Sequence, residues 1–263
     1  MTEDQATTSL AEHVRPFDAG AHVVAASFLG EAPALALADG AVLIGEPDEQ
    51  KRVEAHPGAA ILIAVGDGRT FLTGGDDGRV VAIGADAALR EIANEKGRWI
   101  DALAMRGGAY AWSAGKQVSA RDEAGSVRTW GAPSSVRGLA FQPKGFRLAA
   151  THYNGASLWF PKVEGPPQTL EWKGAHLDAT FSPDGRFLVT SMQENALHGW
   201  RLADSRNMRM TGYPGKTRSL SRSQARRRRA TTTASGSCPG SRSSACCANR
   251  RAASHAARSP ASR

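Results

Sequence analysis

Two short turn signatures recur along this chain with one shared period of about 40 residues, and that periodicity constrains the fold more than any single motif does. The first is Gly66-Asp67-Gly68-Arg69, Arg106-Gly107-Gly108, Pro143-Lys144-Gly145-Phe146 and Pro183-Asp184-Gly185-Arg186. With Gly68, Gly108, Gly145 and Gly185 as markers the spacings are 40, 37 and 40. The second signature falls between these turns, at Asp39-Gly40, Asp77-Gly78, Ala114-Gly115, Asn154-Gly155 and Glu194-Asn195, with spacings of 38, 37, 40 and 40. Two independent series with one period indicate a repeated supersecondary unit.

The segments around the turns have strand character. Ala59-Ala60-Ile61-Leu62-Ile63-Ala64-Val65 precedes a first turn, Arg69-Thr70-Phe71-Leu72-Thr73-Gly74 follows it, and Arg79-Val80-Val81-Ala82-Ile83 follows the second turn. Short β-prone runs joined by such turns are hairpin-connected antiparallel strands. The same layout returns in Leu139-Ala140-Phe141, Phe146 to Thr151 and Ser157 to Phe160, and in Ala179 to Phe181, Arg186 to Thr190 and Leu197 to Trp200. A fourth strand in each unit carries one large apolar residue: Val53, Ile92, Trp130, Trp172 and Met210. Four strands every 40 residues predict an all-β chain of four-stranded antiparallel units, the pattern of a β-propeller.

Phe181-Ser182-Pro183-Asp184-Gly185-Arg186-Phe187-Leu188-Val189-Thr190-Ser191 resembles the strand–turn–strand element of the WD40-repeat family. Ala21-His22, Ala55-His56 and Ala175-His176 resemble that family's Gly-His position before the innermost strand. The Trp-Asp dipeptide is missing: Trp200 and Phe160 stand near its place, followed by Arg201 and Pro161. The resemblance is therefore to a degenerate, bacterial-type WD40 protein. It implies about five complete blades plus part of a sixth over residues 15–221, an incomplete ring. The sixth would begin with Met208 to Ser221, and Arg15-Pro16-Phe17-Asp18 occupies the place of an outer strand that in this family commonly completes the last blade. The resemblance also implies that His22, His56 and His176 are buried imidazoles, each bonded to a turn Asp.

Charge separates the rest of the chain from this body. The formal net charge is +8, from 33 Lys and Arg against 25 Asp and Glu. Ten of those 33, all Arg, follow residue 221 and no acidic residue accompanies them, which leaves the body 23 basic against 25 acidic side chains. All three cysteines, Cys238, Cys246 and Cys247, lie there too. Residues 222–263 contain no Val, Ile, Leu, Met, Phe, Trp or Tyr and are expected to be disordered, as are residues 1–14. The tail reads either as a basic arm, through Arg226-Arg227-Arg228-Arg229, or as an out-of-frame translation of a GC-rich gene; the break falls inside a blade, which favours the second. A polar, acidic start and the lack of a long apolar run predict a cytoplasmic protein without a membrane span.

Catalytic signatures are missing. There is no Gly-x-Ser-x-Gly, no His-Glu-x-x-His and no phosphate-binding loop. The expected function is a non-enzymatic scaffold, without cofactor or metal, that binds a partner protein through the propeller's top face. Aligning Leu103, Leu139 and Leu220 places Asp101, Arg137 and Arg218 at matching positions at the mouth of the channel. With Trp99, in the loop Lys96-Gly97-Arg98-Trp99, and Tyr153, at a second turn, they form the candidate partner-binding set. Two alternatives stand beside it: a metal-binding or catalytic propeller using His152 and the mouth charges, and nucleic-acid binding through the basic tail.

Overall fold

The second-turn glycines explain why the period is so regular. In the computed structural model, which describes Val14, residues 16–217 and Leu220, Gly40 has φ of 93° and Gly78 has φ of 81°. Their carbonyls accept from the loop that follows the unit's fourth strand: Gly40 O from His56 N at 2.9 Å, Gly78 O from Glu95 N at 2.8 Å. Each such glycine both reverses the chain and anchors the exit of its own unit, so it recurs once per unit.

The chain divides into two compact units, one ending at Ile100 and the other starting at Asp101. In unit 1, β1 (Val23–Leu29), β2 (Ala32–Leu37), β3 (Ala41–Ile44) and β4 (Lys51–Glu54) form one antiparallel sheet in sequence order. Strands β5 (Ile61–Gly66), β6 (Thr70–Gly75), β7 (Arg79–Gly84) and β8 (Leu89–Asn94) form a second. The core of unit 1 takes residues from both sheets, among them Leu29, Val42 and Val53 from the first and Ile61, Phe71, Val81 and Ile83 from the second. Strand burial follows composition. The all-apolar β3 is buried throughout, whereas β4, Lys-Arg-Val-Glu, buries Val53 alone. Middle strands covered on both faces read as continuous apolar runs, and outer strands alternate.

Unit 2 opens with a third four-stranded sheet, β9 (Ala102–Arg106), β10 (Ala109–Ala114), β11 (Gln117–Arg121) and β12 (Val127–Gly131). The remainder is a six-stranded sheet of β13 (Gly138–Phe141), β14 (Leu148–Trp159), β15 (Gln168–Phe181), β16 (Phe187–Met192), β17 (Leu197–Arg201) and β18 (Arg206–Met210). Here the structure departs from the separate four-stranded units of the sequence pattern. The first part of β14 pairs with β13 and its second part with β15; the end of β15 pairs with β16. The expected turn at Asn154-Gly155 is present as two left-handed residues, φ 68° and 139°, but strand pairing resumes directly on either side. At Trp172 to Ala175 the chain passes from one pairing partner to the next through a register shift and not through a loop. None of the four sheets closes on itself. No described residue is helical, so no helix is long and apolar enough to cross a membrane.

Of the element expected to start a sixth unit at Met208, Met208 to Met210 belong to β18, which pairs with β17, and residues 211–217 carry no strand. Leu220 N donates to Asp178 Oδ2 at 2.6 Å. No strand forms at residues 16–18. The tail from 222 onward and residues 1–13 fall outside the described residues.

Candidate functional site

In unit 1 the loop before β5 carries His56, which is fully buried. Its Nδ1 donates to Asp77, 3.0 Å from Oδ1, and its Nε2 meets the Thr73 hydroxyl at 2.9 Å. Asp77 also accepts from Arg79 N at 2.9 Å, so one carboxylate closes the β6–β7 turn and orients the imidazole. Burial lowers the pKa of His56 and the Asp77 hydrogen bond pulls it back up, leaving it below the usual histidine value. The group staples the loop before β5 to the β6–β7 turn.

The other two histidines do not repeat this arrangement, which corrects the expectation of one Asp-bonded imidazole per unit. His22 is exposed. In its sheet the turn carboxylate, Asp39, is taken by Arg52 at 2.9 Å, and the position matching Thr73 is Leu35, which has no hydroxyl. His176 is buried but the matching turn offers Glu194, which faces Arg209 at 3.6 Å. His176 bonds Thr190 Oγ1 at 2.8 Å and Trp172 O at 3.1 Å instead. Replacing Asp77 by alanine is expected to destabilise unit 1 by about 2–3 kcal/mol, because it strands a buried imidazole donor. Urea unfolding checks this, with Asp77→Asn expected to retain part of the loss.

The candidate partner-binding residues fall into three groups. Asp101, Arg137 and Tyr153 come together in unit 2. Arg137 Nη1 lies 3.8 Å from Asp101 Oδ1, with the Arg137 side chain 64% exposed. Arg137 N donates to Thr151 O at 3.1 Å, and Tyr153 N donates to Ser134 Oγ at 2.9 Å, so the loop before β13 and the middle of β14 hold one another. Tyr153 is 56% exposed. Asp101 has a structural task as well: its Oδ2 accepts from Gly115 N at 2.7 Å and closes the β10–β11 turn. Trp99 belongs to unit 1, 64% exposed, on a segment anchored by Glu95 N to Gly78 O and Ile100 N to Gly75 O. Arg218 lies outside the described residues.

His152 does not present a metal ligand. Its Nδ1 faces Tyr153 O and its Nε2 faces Ser157 Oγ, both at 2.9 Å, so each ring nitrogen is occupied. Among the described residues no group of three or more His, Cys, Asp or Glu side chains is placed to hold a metal ion.

A cavity of about 290 Å³ in unit 2 is lined by Arg106, Asp122, Glu123, Gly145, Phe146 and Lys162. Lys162 is 3.1 Å from Asp122 and lies over the Phe146 ring; Arg106 donates to Gln142 O. Two cations and two carboxylates balance there, and no Ser, Thr, Cys or His lines the space. The pocket was not legible in the sequence, because Asp122, Glu123 and Lys162 join the first-turn residues Arg106, Gly145 and Phe146 only in the folded sheets.

These features define an all-β protein of antiparallel sheets in sequence order, three of four strands and one of six. No family model matches the chain, and no curated protein matches it. Solved structures do: 1383 chains are similar, so the fold is a widely used one. Among them is a computationally designed protein, Ika8, 17% identical with a TM-score of 0.63 over 78% of this chain. The chain spans 66% of that protein's length. The likeness is one of fold.

Proposed function

We propose that this chain is a stretch of a WD40-type β-propeller that works as a non-enzymatic scaffold and binds a partner protein through the surface around Arg137 and Tyr153. Support for the propeller comes from three features. Strands succeed one another in antiparallel fours, the His56–Thr73–Asp77 staple sits where the family resemblance implies one, and the first strands of neighbouring sheets adjoin within each unit, β1 beside β5 and β9 beside β13. The binding reading rests on one observation: an exposed tyrosine in the middle of β14 and an exposed arginine just before β13, side chains that often carry interface energy, are held by hydrogen bonds from their backbone N–H groups. A surface fixed in advance loses little entropy on binding.

Affinity capture with the full chain tests this. Proteins retained by the wild type should fall at least about tenfold with Tyr153→Ala combined with Arg137→Glu, consistent with the loss of one or two central contacts. Lys51→Ala, an exposed change in unit 1, should retain them all. Equal capture by all three proteins, each with an unaltered β-sheet spectrum, would refute the assignment. Trp99→Ala is the companion variant for unit 1.

A further inference from the structure

We propose that the packed rings of His176 and His198 make unit 2 an acid-operated release, in which protonation opens the sheet from β14 to β17 while unit 1 keeps its structure. These two side chains come from different strands, β15 and β17, and are 1% and 0% exposed; His152 on β14 is buried too, at 3%. Ring centroids of His176 and His198 are 5.9 Å apart. Trp172 lies 4.3 Å from His198, and Trp200 lies 5.6 Å from His176 and 6.4 Å from His198.

Hydrogen bonding in the cluster suits neutral rings. His176 donates Nε2–H to Trp172 O and accepts the Thr190 hydroxyl at Nδ1. His152 donates Nδ1–H to Tyr153 O and accepts the Ser157 hydroxyl at Nε2. Both nitrogens of His198 are buried and make no well-aligned hydrogen bond, and the same holds for Asn207 Nδ2 on β18 and Ser191 Oγ on β16. No carboxylate bonds any of the three rings. Asp178, two residues beyond His176, is committed to Leu220 N and Ala179 N. Asn207, Glu194 and the Trp172 ring favour a charged His198, whereas burial, the largest influence, and Arg209 oppose it. Two added protons 5.9 Å apart would repel in a setting that water does not screen. His56 in unit 1 is lowered by burial as well, but there the Asp77 carboxylate offsets part of the effect.

Burial is the main cause that holds His176 down to about 4, with His198 and His152 adding to it, and His198 is lowered by burial as well. Unfolded rings take their proton near 6.5, so the stability these groups contribute is complete above that pH. It is lost as pH falls from 6.5 towards 4. At pH 5 His176 alone shifts the folding equilibrium about 30-fold towards the open form. Tyr153 sits beside His152 on β14, so the same event withdraws the proposed binding surface. That consequence rests on the reading above, whereas the opening itself does not.

Amide hydrogen exchange on the full chain at pH 7.5 and pH 5, corrected for intrinsic rates, tests the opening without any partner. Peptides over 148–159 and 187–201 should lose protection by about 30-fold or more, and peptides over 32–44 and 70–83 by less than about tenfold. In His198→Leu the loss at pH 5 should shrink while protection at pH 7.5 is kept. Histidine ring titration of the wild-type protein gives a second readout that does not depend on a folded variant. Equal loss in both units would overturn the proposal. So would His176 and His198 rings that titrate near 6.5 with β14 to β17 still protected.

Discussion

Replacing Trp200 by alanine is expected to cost unit 2 about 3–5 kcal/mol, the range for a large aromatic removed from a core that cannot collapse. Trp200 is 1% exposed and lies on β17 opposite Leu188. Its core combines Ala149, Ala156, Leu158 and Leu170 from β14 and β15 with Ala179, Phe181 and Leu188. Three of those seven neighbours are alanines, so the indole supplies volume that no adjacent side chain can reach across to replace. Strand pairing on both sides of β17 fixes the backbone and prevents the gap from closing. The matched comparison is Trp99→Ala, where a 64% exposed indole should change stability by no more than about 0.5 kcal/mol. Equilibrium urea unfolding followed by far-ultraviolet circular dichroism checks both. A loss under about 1 kcal/mol for Trp200→Ala would mean that the indole does not seal this core. The substitution also bears on the histidine cluster, because water entering beside His176 and His198 would relieve the burial that keeps those rings neutral.

Most of the strand layout was legible because turns write themselves into sequence. A left-handed residue is nearly always glycine or asparagine, and the turns expected at Gly68, Gly108, Gly145 and Gly185 all have positive φ. The outer strands were legible from single apolar residues, and Val53, Ile92, Trp130 and Met210 all fall within them. Pairing partners were not legible. That β14 and β15 each serve two neighbours depends on how few residues link their halves, and a two-residue bend and a loop start look alike in composition. The site divides on the same line. Asp101 and Arg137 meet because β9 and β13 adjoin, and Tyr153 is tied to the loop before β13 through Ser134. Asp39, by contrast, has the same sequence context as Asp77 and a different partner, since Arg52 on β4 competes for it. His198 and His176 occupy unlike places in the repeat, so only the folded sheet brings their rings together.

Gly40→Ala is expected to cost unit 1 about 3 kcal/mol, more than a left-handed backbone alone imposes on alanine, which is about 1–2 kcal/mol. With φ of 93°, a methyl group on Gly40 would run into the carbonyl oxygens of His56 and Ala59. Neither oxygen can retreat easily. His56 O accepts from Ala59 N at 3.1 Å, and His56 N donates to Gly40 O at 2.9 Å. Relieving the clash therefore pulls apart the bonds that hold the exit of β4 against the β2–β3 turn, and it shifts the loop that positions the His56 imidazole towards Asp77. Gly58 provides the control: its φ of 74° is equally left-handed, but a methyl group there meets nothing within 4 Å. Gly58→Ala should lose only the conformational part, about 1–2 kcal/mol. The difference between the two urea midpoints, at equal slopes, isolates the steric contribution. If the two variants unfold together, the close approach at Gly40 carries no energy, and the regular spacing of the second turn would rest on backbone conformation alone. A larger loss at Gly40 would make that turn the point where each unit is fastened to its own exit, so that the period of about 40 residues records a packing requirement as well as a conformational one.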